Sequence, residues 1–138
     1  MKFHVVAQTK RGLHRSFLLL FLGLSFTLYA NSMGNDFVFD DVNLVLENED
    51  IRSLDNLQNY FPGSRTLSSY RPIRFLSYLL DYQLYGLNPA GYRISNIIYH
   101  SLNTYLIFRL ILLLGATEMA AFLGAFLFLS HPLQTESV

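Results

Sequence analysis

The chain has 138 residues, of which 51% are hydrophobic and 14% charged, with a mean hydropathy of +0.28. Soluble domains carry about a quarter charged residues, so this composition points to a membrane protein. Ten basic and ten acidic residues cancel, which removes the electrostatic case for a nucleic-acid partner, and the absence of cysteine excludes disulfides, thiolate nucleophiles and cysteine–zinc sites.

Lys2, Lys10, Arg11 and Arg15 crowd the first residues with no acid among them, which predicts a cytoplasmic basic tail over 1–15. Phe17 to Tyr29, "FLLLFLGLSFTLY", is an unbroken apolar run that extends to Met33, about 17 residues, at the short limit for crossing roughly 30 Å of hydrocarbon. A secretory signal begins the same way. The weak cleavage site Leu28-Tyr29-Ala30 and the further apolar segments downstream favour an uncleaved anchor, transmembrane helix 1 over 16–33. Positive charge stays inside, so Asn31 emerges on the extracytoplasmic side.

Residues 34–93 then form an extracytoplasmic loop, rich in acids from Asp36 to Asp55. Ser53 is the expected N-cap of a short helix to Tyr60, ended by Phe61-Pro62-Gly63. A second loop helix starts at Pro72, a residue suited to a first turn. On its wheel Ile73, Leu76, Leu80 and Leu84 share one face. Arg74, Ser77, Tyr78, Asp81 and Tyr85 make a polar stripe, with Phe75, Leu79 and Tyr82 on the far side. Flanked by Tyr70 and Tyr92, this helix is expected to lie in the headgroup layer. A rival reading makes Pro72 to Leu87 a short span that inverts everything downstream; Arg74 and Asp81 near its middle oppose that.

Ile94 to Leu114 is predicted as transmembrane helix 2, with Arg109 reaching the interface at its inner end. Gly115 to Glu118 makes a tight turn. Transmembrane helix 3 covers 116–130 and stops at His131-Pro132, since proline cannot continue the helical ladder. Ala120, Ala121, Gly124 and Ala125 suit close helix packing. Residues 131–138 begin a second extracytoplasmic loop. The expected fold is therefore an all-α membrane protein with about three transmembrane helices and a loop carrying amphipathic helices.

Three polar groups could carry chemistry. Asp40-Asp41, in "FVFDD", is either a solvated acid pair or a base for an acceptor hydroxyl, its neighbours Phe37, Val38 and Phe39 holding it at the membrane surface. "SRTLSSYRPIR" places Arg65, Arg71 and Arg74 together without an acid, for anionic headgroups or for bidentate grip on a phosphate. Asn96, His100 and Asn103 share a helix face, where they either bond between helices or line a polar track. Parity of three spans returns His131, Thr135 and Glu136 to the compartment of the aspartates. No Gly-rich phosphate loop, zinc-type histidine spacing or nucleophile elbow is present, so no metal site or cofactor is predicted.

The stretches "GNDFVFDDVNLVLENEDIRSLDNL", "YRPIRFLSYLLDYQLYGLNPAGYRISNIIYHSLN" and "HPLQTESV", in this order, resemble the N-terminal region of multi-spanning GT-C glycosyltransferases. The nearest group is the transmembrane-and-tetratricopeptide-repeat O-mannosyltransferases with their bacterial relatives. The resemblance implies a multi-pass enzyme that moves a sugar, mannose in that nearest group, from a polyprenyl-phosphate donor to an extracytoplasmic hydroxyl, on protein. It implies that one of Asp40 and Asp41 is the catalytic base and that Arg71 holds the donor phosphate or orders the loop. Asn96, His100 and Asn103 match its polar second helix, and His131 and Glu136 its His-Pro-x-x-Thr-Glu motif, as positioning groups. Whether a divalent metal is needed stays open. The expected place is the bacterial plasma membrane, or the endoplasmic reticulum membrane in a eukaryote. Because the sequence stops within a motif, it is expected to be an N-terminal fragment, inactive by itself; the alternative is a non-catalytic membrane scaffold or assembly subunit.

Overall fold

The computed structural model describes residues 2–57 and 71–136, with side chains over 15–57 and 71–135. Every regular element among them is helical and none is a strand. The α-helices are α1 (Lys2–Tyr29), α2 (Pro72–Tyr85), α3 (Pro89–Leu113) and α4 (Glu118–Ser130), joined by short 3-10 and π turns. The chain divides into two compact units, one of residues 1–33 with 94–138 and the other of residues 34–93.

In the first unit the basic segment and the apolar run form one continuous helix, α1. Among the described residues one helical stretch, 15–34, is long and apolar enough to cross a membrane, while α4 is apolar but 13 residues long. Phe21 of α1, Phe108 of α3 and Ala121, Ala125 and Leu129 of α4 make the buried core. Phe17 adds a ring 4.4 Å from that of Phe108. Of the small residues on α4, Ala121 and Ala125 are fully buried and a Cβ on Gly124 would come within 2.7 Å of the Ile111 side chain, but Ala120 faces outward. The α3–α4 turn is a Schellman motif. Gly115, at φ +88°, donates to Leu112 O at 3.1 Å and Ala116 donates to Ile111 O at 3.3 Å. Thr117 then caps α4 by accepting from the Ala120 amide at 3.3 Å.

The helix expected from Ile94 starts earlier, at Pro89. Asn88 accepts from the Ala90 amide at 3.1 Å, and proline at the first position needs no partner for a missing N–H. On α3 the buried face runs through Ile97, Ser101, Thr104 and Phe108. The two hydroxyls are satisfied by their own helix, Ser101 donating to Ile97 O at 2.7 Å and Thr104 to His100 O at 2.9 Å.

The second unit has its own core: Val45, Ile51, Phe75, Leu79 and Tyr92, with Phe37, Leu44, Leu57, Tyr78 and Tyr82 packed around it. Its turns are closed by polar side chains. Asn48 accepts from Asp50 N at 3.1 Å, Asn56 donates to Asp50 O at 2.9 Å, and Gln83 of α2 donates to Arg52 O at 3.2 Å. Ser53 does cap a helical turn, Leu54–Asn56, accepting from Asp55 N at 3.2 Å. The expected continuation to Tyr60, together with Arg65 and Tyr70, lies outside the described residues.

α2 divides its two apolar sides between core and surface. The side of the wheel with Phe75 and Leu79 faces the core, and Ile73, Leu76, Leu80 and Leu84 are exposed. The helix is apolar on both sides, and the side carrying the aromatic ring meets Val45 and Ile51. It ends at Gly86, whose φ of 60° and ψ of −127° suit only glycine, and Tyr92 donates its hydroxyl to Gly86 O at 2.9 Å. A side chain on Gly91 would collide with the Tyr85 ring.

Candidate functional site

The segment that carries the two aspartates is pinned on both sides. Upstream, Arg93 donates to Asn35 O at 3.3 Å and to Asp36 O at 2.8 Å. Phe37 then meets Tyr92 edge-on, with centroids 5.3 Å apart. Downstream, Val45 is buried in the core of the second unit. Between these anchors the chain must reverse sharply, and Phe39 does so at φ +49°. That left-handed conformation costs a bulky residue about 1–3 kcal/mol.

Asp40 and Asp41 follow at once and open a helical turn. Asp41 N donates to Val38 O at 3.1 Å, and the Asp41 carboxylate accepts from Val38 N at 3.5 Å. The backbone then widens into a π turn over Val42–Leu46, closed by Glu47 N to Val42 O at 2.9 Å. Strained backbone and π geometry are uncommon, and both concentrate at functional sites. Here they flank the acid pair on either side. Asp40 is exposed and Asp41 half-buried, while Phe39 stands almost wholly in the open at 92% exposure.

Tyr78, on the polar stripe of α2, belongs to the same neighbourhood. Burial pushes its phenol above the ordinary value of 10.0; Asp41 adds to the rise, Arg74 opposes it, and Asp40 and Asp81 add further. Its ring lies 6.4 Å from that of Tyr92. Tyr92 is pushed up more strongly, by burial first and then by Asp81, Tyr82 and Tyr78. Asp81 itself is buried. Both phenols are therefore neutral in the fold at any pH where their unfolded counterparts begin to ionise. The unfolded chain then holds fewer protons, so stability is full below about pH 10 and falls above it. Alkaline unfolding of the full chain, followed by tyrosinate absorbance, should show one late-ionising phenol fewer in Tyr92→Phe and one fewer in Tyr78→Phe.

Other expected site residues are spread over both units. Arg71 is exposed and immediately precedes α2, in the unit of the aspartates. His131 is exposed; its Nδ1 accepts from Leu133 N at 3.3 Å, which caps the 3-10 turn Pro132–Glu136. The Glu136 side chain lies outside the described residues. On α3, Asn96 is half-buried, His100 buried and Asn103 exposed. This face sits at the margin of the buried one, so only His100 turns inward.

There His100 Nε2 lies 3.1 Å from Leu129 O, and the Tyr29 hydroxyl donates to the same oxygen at 2.7 Å. The carbonyl belongs to the last turn of α4, where the helix leaves acceptors unpaired. Leu133 N, which an extended helix would offer it, is bonded to His131 instead. Two side chains from α1 and α3 thus close one helix end. Removing either donor should cost about 0.5–2 kcal/mol. The pair Tyr29→Phe with His100→Leu should cost more than the sum, because the second loss strands the carbonyl. Detergent unfolding of the full chain measures this, and strictly additive losses would refute it.

Among the described residues no group of three or more His, Asp or Glu side chains is arranged to hold a metal ion. No protein-family model and no solved structure matches the chain. Curated proteins do. Over 124 residues, 83% of this chain, it is 36% identical to Protein O-mannosyl-transferase Tmtc1 of Drosophila melanogaster, covering 14% of that protein. Over 130 residues, 88% of this chain, it is 34% identical to Protein O-mannosyl-transferase TMTC3 of Homo sapiens, again 14% of the relative. Protein O-mannosyl-transferase tmtc2 of Xenopus laevis is 33% identical over 129 residues, 87% of this chain and 15% of the relative. This chain is a homologue of the TMTC protein O-mannosyl-transferases. It spans about one-seventh of the length of the relatives it matches.

Proposed function

We propose that this chain supplies the acceptor-activating part of a membrane glycosyltransferase that moves mannose from a polyprenyl-phosphate carrier to a protein hydroxyl on the extracytoplasmic side. The observation that carries the reading is the Asp40–Asp41 pair, held at an exposed edge by the left-handed Phe39 and the π turn behind it, in a homologue of O-mannosyl-transferases. α1 from residue 15, α3 and α4 are read as three crossings of a GT-C fold, with the N-terminus cytoplasmic. An odd number of crossings brings the His131–Glu136 segment into the aspartates' compartment.

The chemistry is a single displacement. One aspartate takes the acceptor hydroxyl proton while the hydroxyl oxygen forms its bond to the anomeric carbon. The bond from that carbon to the carrier phosphate breaks, the electron pair leaves on the phosphate, and configuration inverts. Arg71, exposed beside α2, offers the planar donor pair that a phosphate leaving group needs.

The test uses membranes from cells expressing the natural protein that contains this sequence. Incubated with polyprenyl-phosphate mannose labelled in the sugar, they should transfer label to serine or threonine hydroxyls of membrane or secreted acceptors. Equal labelling in membranes lacking the protein would refute the proposal. The scaffold reading keeps one point in its favour: His100 serves helix packing through Leu129 O.

A further inference from the structure

Phe39 bears two costs at once. Its backbone is left-handed at φ +49°, the one positive φ outside glycine among the described residues. Its ring is 92% exposed, the most open large apolar side chain among them. A glycine or asparagine would make the same reversal without that strain. The ring takes no part in the core that Phe37 and Val45 reach on either side of it. Strain of this kind clusters at active sites and ligand clamps. Val38, at 51% exposure, extends the apolar surface, and Asp40 follows one peptide bond later.

We propose that Phe39 is the acceptor platform of this site: its ring packs against an apolar side chain next to the serine or threonine whose hydroxyl meets Asp40 or Asp41. The proposal rests on the transferase reading and adds to it a preference among acceptors. Position argues for the acceptor rather than the sugar donor. In an inverting displacement the base and the leaving group lie on opposite faces of the sugar ring, so the residue adjoining the base stands on the acceptor's side. The base must come within about 3 Å of the hydroxyl oxygen, and consecutive Cα atoms are about 3.8 Å apart. A polypeptide that delivers its hydroxyl to Asp40 therefore passes within reach of the Phe39 ring.

Chemistry then selects the side chain that meets it. A ring open to water gains most when it is buried against apolar surface. An aromatic side chain also offers a large contact area on few rotatable bonds, so little freedom is lost when it is ordered.

The natural protein that contains this sequence is assayed in nanodiscs with polyprenyl-phosphate mannose and two peptides, which differ only in leucine or alanine beside a single threonine. The unsubstituted protein should show a KM about tenfold lower for the leucine peptide. Phe39→Gly and Phe39→Asn remove the ring but accept the left-handed backbone, so the turn and its carboxylates should stay in place; thermal unfolding checks that. Each should raise the KM of the leucine peptide to that of the alanine peptide while kcat changes by less than about twofold. Phe39→Tyr should keep the preference. No preference in the unsubstituted protein, or one that survives in both Phe39→Gly and Phe39→Asn, would overturn the platform and leave the transferase reading standing. So would an equal loss on both peptides, which assigns the ring to the turn or to the lipid surface. A rise confined to the donor KM would overturn it too and assign the ring to the sugar. Transfer to neither peptide by the unsubstituted protein would count against both readings.

Discussion

Asp41→Asn and Asp40→Asn, each made in the natural protein, are expected to lower mannose transfer, the one at the true base by about 10²–10⁴-fold. The substitution is informative because its structural cost is small. Asp41 accepts from Val38 N at 3.5 Å, and an asparagine oxygen can accept the same long bond. Asp40 is exposed. The turn that presents both is set by Phe39, Val45 and the Phe37–Tyr92 contact rather than by the carboxylates. Unchanged thermal unfolding with lost transfer is therefore the expected result. Undiminished transfer from both variants would end the assignment of either aspartate as base.

The second large effect separates two adjacent leucines. Leu79→Ala should cost about 2–5 kcal/mol, because its side chain is fully buried between Phe75, Val45 and Ile51 and leaves a cavity. A core in a unit of about 60 residues rarely supplies more than about 3–5 kcal/mol. The unit should lose cooperative folding, read as increased amide exchange over 40–56 and loss of the Asp41–Tyr78 neighbourhood. Leu80→Ala, one residue on and exposed, should change stability by less than about 0.5 kcal/mol. Equal costs at the two positions would contradict the packing of α2. A wheel drawn from sequence leaves the order of these leucines open, since each sits on an apolar side of the helix.

That choice of face shows where sequence reasoning stops. The apolar run after a basic cluster, the proline at the start of α2, the Gly115 turn and the stop at Pro132 are local properties. Each follows from backbone chemistry that operates whatever lies nearby. The start of α3 was also legible, in Asn88-Pro89, a cap followed by a first-turn proline; the expected boundary at Ile94 followed apolar content instead. The resemblance to O-mannosyl-transferases rested on motif order and is carried by the curated relatives.

Position on a wheel could not say which of two apolar faces of α2 would be buried. Nor could it say that His100 turns inward to Leu129 O while Asn103 stays outside. Tyr78 was visible on a polar stripe, but its proximity to Asp40 and Asp41 depends on how α2 docks within its unit, against the 3-10 turn over 49–52.

By itself, then, the sequence determined the helical class, the long apolar stretch, the chain reversals and the identity of the acid pair, because these depend on neighbours along the chain. Only the tertiary structure decided the inner face of α2, the pairing of Tyr29 and His100 on one carbonyl, and the left-handed backbone at Phe39. Those outcomes arise where elements distant in sequence compete for the same contact, and the winner is the arrangement that buries the most surface while leaving the fewest polar atoms unpaired.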